Sequence, residues 1–153
     1  MSGSSTGLGP HRYDCHVRFS DVDVYGHVNN VKYFEYYQEA RIAFILSLAG
    51  SSTGEAPRLF EPDSTERQVV ARIDVDYRRP IRFRPAPYVV ETEVTRIGTS
   101  SYDLACRIVD APGSDAGVYS RAAVRLVAFD TGTQRSRPLS APERERLEAV
   151  RRV

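Results

Sequence analysis

Cysteine is scarce in this sequence, which has two, Cys15 and Cys106, among 153 residues. Two cysteines are too few for a framework of several disulfides or for a cysteine-rich metal site. A chain of this length can bury roughly 68–70% of the surface that its unfolded form exposes, so it needs no such cross-links to hold a core. We therefore expect one folded domain with reduced thiols, located in the cytoplasm.

The sequence also lacks an excess of positively or negatively charged residues. Lys and Arg total 21, Asp and Glu total 20, and the formal net charge is +1. This balance does not indicate binding to nucleic acid or to a membrane surface. The longest apolar run, residues 42–46, is far shorter than the roughly 20 residues that span a bilayer. The first ten residues have neither a positive cluster nor an apolar stretch, so we expect no secretory signal.

The chain is predicted to form a short tail followed by a single domain. Residues 1–10 are rich in Gly and Ser and are expected to form a flexible tail, and residues 11–153 are expected to form the domain. From residue 30 to residue 49 the apolar residues recur three to five apart, which predicts a long and largely buried helix. Asn29 or Asn30 would cap its start and Gly50 would end it. Before it, alternation predicts a half-exposed strand, with apolar residues at Tyr13, Cys15, Val17 and Phe19.

Strands dominate the second half of the chain. Residues 50–66 have the composition of a loop, which favours a flap or a short helix at a substrate entrance. Pro- and Gly-containing turns then separate four predicted strands, over residues 68–83, 88–97, 101–109 and 118–129. A capping box at Ser140 and Glu143 predicts a terminal helix over 141–152. Because no helix separates the four strands, we expect an α+β fold in which a five-stranded antiparallel sheet wraps one long helix.

Polar side chains crowd the turn just before the long helix. Residues 20–33 read SDVDVYGHVNNVKY and contain two acids, a histidine and two asparagines. A helix N-terminus carries free backbone N–H groups and a partial positive charge, which suit it to hold an oxyanion. A carboxylate nearby can activate water or attack a carbonyl, and His or Asn can polarise the substrate. The pattern favours acyl-transfer chemistry.

This stretch resembles the signature of the hotdog-fold thioesterases of the 4-hydroxybenzoyl-CoA thioesterase type. The matching string runs from Asp21 and Asp23 through Gly26-His-Val-Asn-Asn30 to Tyr33, and continues with Tyr36 or Tyr37, Glu39, Ala40 and Arg41. The segment VDYRRPIRF at residues 75–83 is similar to a second pattern of the family. The resemblance covers the whole domain and implies a hotdog fold and a homodimer or homotetramer with sites between subunits.

The resemblance also implies roles for individual residues. Asp23 would be the catalytic carboxylate, acting as a general base on water or as a nucleophile that forms a mixed anhydride. The backbone N–H of Asn30 would polarise the thioester carbonyl, and His27 and Asn29 would line the site. The acyl-carrier-protein thioesterases place asparagine where this chain has Tyr25, and glutamine where it has Gly26. Acyl-CoA is therefore the favoured substrate.

Each of these residues also has a purely structural interpretation. Asp23 and Asn29 are good helix-preceding caps, and His27 could simply bond the backbone of the turn. Asp21 is expected to be structural or solvent-facing. Glu39 could be a site carboxylate reached from a partner subunit, or a buried residue paired with Arg41 or another arginine.

Aromatic and basic residues supply the candidates for substrate contact. The helix tyrosines are expected in the core or at a subunit interface, and Tyr33, the nearest to the site, is the candidate for substrate contact. Residues 67–84 hold six arginines and two acids. Arginine suits the phosphates of CoA, and the candidates are Arg78, Arg79 and Arg82. A solvated strand face explains the same pattern equally well.

The expected function is hydrolysis of an acyl-CoA thioester to a carboxylic acid and free CoA, without metal or organic cofactor. Histidines at positions 11, 16 and 27 lack the spacing of a metal site. Two alternatives remain. One is an acyl-carrier-protein thioesterase, and the other is a non-catalytic acyl-CoA-binding protein of the same fold.

Overall fold

A computed structural model describes residues 9–49, 61–114 and 117–151 of the chain. The elements are β1 (His11–Cys15), α1 (Asn30–Ala49), β2 (Glu66–Tyr77), β3 (Tyr88–Ile97), β4 (Ser101–Val109), β5 (Ser120–Asp130), β6 (Arg135–Ser136) and α2 (Ala141–Val150). A 3-10 turn over Phe19–Asp21 precedes α1. Most of the predicted tail, the helix-ending Gly50 and the remainder of residues 50–60 of the flap predicted over 50–66 lie outside the described residues.

All the strands named above belong to one antiparallel sheet. Their order is β1-β3-β4-β5-β2, and the two-residue strand β6 pairs with β5. Consecutive strands β3, β4 and β5 are neighbours because the turns between them are short enough for antiparallel connections. Strand β2 pairs with β5 and lies at an edge of the sheet. The long helix and antiparallel sheet confirm the expected α+β fold, with the short β6 as a sixth strand.

The core lies between α1 and one face of the sheet. Alternate residues of the strands point into it, among them Val90, Val94, Leu104 and Leu126, and from α1 they meet Tyr37, Ala40 and Phe44. The helix packs mainly against β1 and β3. The opposite face of the sheet carries charge, as Asp103 pairs with Arg96 at 2.9 Å and with Arg125 at 2.8 Å. One face of the sheet is thus buried and the other is polar.

The predicted bounds of α1, β3 and β4 match the structure, but three expectations need correction. Phe19 was expected on the buried side of the first strand, yet it is 80% exposed, because β1 ends at Cys15 and the 3-10 turn redirects the chain. The predicted strand 68–83 ends earlier, at Tyr77, because the N–H groups of Arg78 and Arg79 both turn to the carbonyl of Tyr119.

The third correction concerns α1, which was expected to be largely buried. Val31 is 67% exposed and Phe34 is 41% exposed, and Leu46 is also exposed. Because α1 packs mainly against β1 and β3, the side of the helix near β2 has no cover within the described chain. The capping box of α2 forms as predicted, since Ser140 Oγ accepts the N–H of Glu143 at 3.2 Å.

Neither α1 nor α2 is long and apolar enough to cross a membrane.

Candidate active site

The polar stretch before α1 folds into a tight two-armed loop. Its arms are residues 21–23 and residues 27–29. Asp23 N–H donates to the carbonyl of His27 at 2.8 Å, and Asn29 N–H donates to the carbonyl of Asp21 at 2.9 Å. Gly26 has a φ of 79°, a left-handed conformation that suits glycine, and its N–H closes the turn onto the carbonyl of Asp23 at 3.0 Å. The arms place Asp23 opposite His27, and the second arm is followed directly by α1.

Asp23 uses one carboxylate oxygen to hold this loop. Its Oδ1 accepts the N–H of Tyr25 at 2.9 Å and the N–H of His27 at 3.3 Å. Within the described chain, no hydrogen bond or ion pair engages Oδ2, and the residue is partly exposed. One oxygen can therefore stay fixed while the other acts on a ligand.

The start of α1 carries a backbone donor that is available to a ligand. Asn29 caps the helix, because its Oδ1 accepts the N–H of Val31 at 3.0 Å and its carbonyl accepts the N–H of Lys32 at 2.9 Å. The described residues provide no acceptor for the N–H of Asn30, the first residue of α1. Asp23 lies two residues along the arm from Asp21, whose carbonyl accepts the N–H of Asn29. A carboxylate and a helix N-terminal amide thus share one small region.

His27 and Arg82 lie side by side. They form an isolated antiparallel bridge, and the next residue, Val28, donates its N–H to the carbonyl of Ile81 at 2.8 Å. The carbonyl of Arg82 accepts the hydroxyl of Tyr88 at 2.8 Å, which holds the segment in place. Arg82 is exposed beside the loop that carries Asp23.

The other two candidate arginines precede this bridge. Arg78 lies 4.0 Å from Asp76, and the guanidinium of Arg79 stacks 4.8 Å from the ring centre of Tyr119. Both residues are exposed. The segment after β2 therefore presents three arginines to solvent, and Arg82 is the one that pairs with the loop.

Tyr77 is a neighbour of the site that the sequence did not single out. Its hydroxyl donates to the carbonyl of Asn30 at 3.1 Å, and its ring packs edge-on against Tyr33 at 4.8 Å. Tyr33 is buried beneath it, and burial raises the pKa of Tyr33. The position of Tyr77 just before Arg-Arg-Pro, where β2 ends, was the available signal in the sequence that it lies near the site.

Two other acids have clear placements. Asp21 is buried, and although burial opposes its ionisation, hydrogen bonds from Tyr36 and Arg18 lower the pKa of Asp21. Glu39 is exposed and makes no ion pair with Arg41, so the interpretation of Glu39 as a buried partner of Arg41 was wrong. In the described part of the chain, no group of three His, Cys, Asp or Glu residues could hold a metal ion.

The sequence pattern of the thioesterase-like superfamily matches residues 17–148. The chain belongs to this superfamily. The match includes the two-armed loop, α1 and strands β2 to β6, and it confirms the resemblance to the hotdog thioesterases. The observed sheet and long helix are those of the hotdog fold.

Two solved structures are similar to this chain over most of its length. A solved thioesterase of Thermus thermophilus, in complex with coenzyme A and Zn, is 29% identical, with a TM-score of 0.73 over 94% of this chain and 95% of that chain. The PA2801 protein of Pseudomonas aeruginosa is 33% identical, with a TM-score of 0.72 over 90% of this chain and 97% of that chain.

A curated relative is matched over a shorter region. The uncharacterized protein YsmA of Bacillus subtilis (strain 168) is 31% identical over 91 residues, which are 58% of this chain. The match spans about half of that relative, 53% of its length.

Proposed function

We propose that the protein hydrolyses acyl-CoA thioesters to a carboxylic acid and free CoA. The observation that carries the proposal is a loop-anchored carboxylate, Asp23, in the loop that leads directly into α1, where the N–H of Asn30 has no acceptor among the described residues. Membership of the thioesterase-like superfamily supports the reaction class. The coenzyme A complex of the Thermus thermophilus relative supports a CoA-linked substrate.

In the proposed reaction, the thioester carbonyl oxygen accepts the N–H of Asn30, where the helix N-terminus stabilises the developing negative charge. Oδ2 of Asp23 then acts in one of two ways. As a general base it takes a proton from water, whose oxygen attacks the carbonyl carbon and displaces the CoA thiolate. As a nucleophile it forms a mixed anhydride with release of the CoA thiolate, and water then cleaves the anhydride. In both routes the thiolate takes up a proton.

The residues around Asp23 have supporting roles in this proposal. His27 and Asn29 orient the water or the thioester from the arm of the loop opposite Asp23. Asn29 does so while it caps α1, because its side chain has donors left after Oδ1 accepts the N–H of Val31. Tyr33 forms the floor of the acyl site under Tyr77.

The phosphates of CoA would bind the exposed arginines that follow β2. Arg82 lies beside the loop through its backbone bridge to His27, and Arg78 and Arg79 precede it on the same segment. Guanidinium groups match phosphate oxygens in geometry and charge. CoA would thus lie across this segment with its thioester directed to Asn30.

A homodimer, or a tetramer built from dimers, completes the proposal. Within the described chain β2 has a strand partner on one side, and its Val69, Val70 and Tyr77 are exposed. An open edge strand with apolar side chains favours pairing with a second copy. Both cysteines are free thiols, which supports the proposed cytoplasmic location.

The test is release of free CoA thiol from a panel of short, long, branched and aromatic acyl-CoAs. Asp23→Asn keeps an oxygen that can accept the N–H groups of Tyr25 and His27, so the loop is expected to stay folded. Loss of a positioned base costs about 10²–10⁴ in rate, and we expect a fall of that size with an unchanged Tm.

Retention of most of the turnover by Asp23→Asn would contradict the proposed mechanism. Absence of CoA release by the wild-type protein from every acyl-CoA of the panel would contradict the proposed reaction. Activity on an acylated carrier protein would then favour the first alternative, and a thermal shift with acyl-CoA without turnover would favour a non-catalytic binder.

A further inference from the structure

A cavity lies between α1 and β2, away from the two-armed loop. Its volume is about 430 Å³. Apolar walls are formed by Ile42, Ile45, Val70 and Leu126, and polar groups are contributed by Gln38, Arg41, Arg67 and Gln68. An apolar cavity with a few converging polar groups is the usual form of a small-molecule site.

The cavity continues the uncovered face of α1 that begins at the candidate active site. Residues 30, 34, 38, 41 and 45 are three or four apart and share one side of the helix. Phe34 on this side is 41% exposed. The eleven residue steps from Asn30 to Arg41 correspond to about 16 Å along the axis. A ligand whose reacting carbonyl is held at Asn30 could extend along this face into the cavity.

Arg41 contributes a cation to this cavity. It is partly buried, and it has no hydrogen bond or ion pair with any described residue. Burial lowers the pKa of Arg41. A guanidinium that has lost water without gaining a partner carries a desolvation penalty, which an anion beside it would offset.

The polar groups in the wall next to Arg41 are already hydrogen-bonded to one another or to other partners. Gln68 accepts the hydroxyl of the buried Tyr102 at 2.5 Å and donates to Glu143 at 3.0 Å. Glu143 is itself paired with Arg137 at 2.6 Å. The amide of Gln68 and the charge of Glu143 are therefore committed to each other and to their partners, and they do not neutralise Arg41.

Arg67 adds a second positive charge at the same cavity. Its guanidinium donates to the backbone carbonyls of Glu66 at 2.7 Å and Glu61 at 3.1 Å. These bonds fix the group in position and leave its charge without a carboxylate partner among the described side chains. The cavity thus combines apolar walls with the guanidinium of Arg41, and Arg67 lies at its edge.

We propose that this cavity receives the far end of the acyl group and that Arg41 pairs with a carboxylate there. The preferred substrates are then CoA thioesters of medium-length dicarboxylic acids. This inference rests on the proposed thioesterase function and names its substrate class.

The kinetic test compares dodecanedioyl-CoA with lauroyl-CoA, which have the same chain length and differ in the terminal carboxylate. Sebacoyl- with decanoyl-CoA and tetradecanedioyl- with myristoyl-CoA provide shorter and longer pairs. We expect the wild-type kcat/KM to favour one dicarboxylyl substrate about 10- to 100-fold over its partner, the size of a charge-assisted hydrogen bond. Arg41→Met should remove this preference and Arg41→Lys should keep part of it.

The control variant is Arg72→Gln on the opposite face of β2, where Arg72 pairs with Asp74 at 3.0 Å. It should leave the preference unchanged. Equal kcat/KM within every pair for the wild-type protein, or a preference that survives Arg41→Met, would overturn the inference. A carboxylate of a second copy that pairs with Arg41 would also make kcat/KM equal within every pair, and this outcome too would overturn the inference.

A binding measurement separates this inference from the proposed function. Isothermal titration with octanoate and with octanol probes the cavity without hydrolysis. We expect octanoate to bind the wild-type protein at least tenfold more tightly than octanol, and Arg41→Met to lose the difference. If no thioester is hydrolysed, the proposed function fails, and this titration still decides whether the cavity selects a carboxylate. Equal affinity for the two probes would refute the selection.

Discussion

The hydroxyl of Tyr36 donates a hydrogen bond of 2.6 Å to the carboxylate of Asp21. Arg18 pairs with the same carboxylate at 3.0 Å, and its backbone N–H adds a hydrogen bond of 3.1 Å. Asp23, two residues later, has one engaged oxygen and is partly exposed. The two acids of the loop thus have different environments, which supports a structural role for Asp21 and the catalytic role that we propose for Asp23.

Asp21→Asn is expected to destabilise the fold. The substitution removes the charge that Arg18 and Tyr36 engage in a buried position, and hydrogen bonds to a charged group contribute about 1.5–3 kcal/mol. We expect the free energy of unfolding, measured in urea, to fall by about that amount. Tyr36→Phe removes one of these bonds and should cost less. An unchanged urea midpoint for Asp21→Asn would contradict the structural assignment.

Glu143 should make stability depend on pH in the acid range. Burial opposes its ionisation, but Arg137, the N–H of Ser140 and Gln68 together lower the pKa of Glu143. A lowered folded-state pKa contributes stability above the ordinary value of about 4.3, and that contribution is lost as the pH falls through the folded-state pKa.

Glu143→Gln therefore should start less stable near neutral pH, by about 3–5 kcal/mol for a broken buried pair. It should also lose less stability than the wild-type protein on acidification to about pH 3. Denaturation curves across pH measure both effects. Glu145→Gln, on the exposed side of the same helix, is the control and should follow the wild-type curve. Parallel curves for Glu143→Gln and the wild-type protein would count against this role of Glu143.

Gly26 should be sensitive to substitution although no neighbour crowds it. A Cβ at Gly26 would meet nothing within 4 Å, so the cost of Gly26→Ala comes from its φ of 79°. That conformation costs an L-residue about 1–2 kcal/mol. We expect a lower Tm and, if Asp23 is catalytic, a lower kcat. Gly26→Asn should recover part of both, since Asn adopts this conformation more readily than Ala. An Ala variant with wild-type Tm would show that the turn adapts.

The open edge of β2 predicts an effect of charge on assembly. Val69 is 42% exposed on this strand, and a lysine on an edge strand disfavours pairing with another strand. We expect Val69→Lys to reduce the mass measured by sedimentation equilibrium from that of an oligomer towards that of one chain. Thr95→Lys adds the same charge at an exposed position of β3, inside the sheet, and should not change the mass. A wild-type protein that sediments as a single chain would refute the proposed assembly.

Local patterns in the sequence determined several elements and the identity of the candidate site. The bounds of α1, β3 and β4 could be predicted because helical periodicity, strand alternation and Gly or Pro turns act over neighbouring residues. The acids, histidine and asparagines of the site lie within one short stretch, so the motif could be recognised before its geometry was known. The capping box of α2 is equally local.

Only the tertiary structure decided which of these groups meet residues from distant parts of the chain. It placed Tyr77 on the carbonyl of Asn30 and Arg82 beside His27, and it ended β2 at Tyr77 through contacts with Tyr119. Among the described residues it also left one side of α1 uncovered, with Arg41 unpaired in a cavity against β2. Periodicity indicates that a side chain is apolar or polar on a given face. Which neighbour covers that face depends on the order of strands in the sheet, and β2 occupies an edge in this fold.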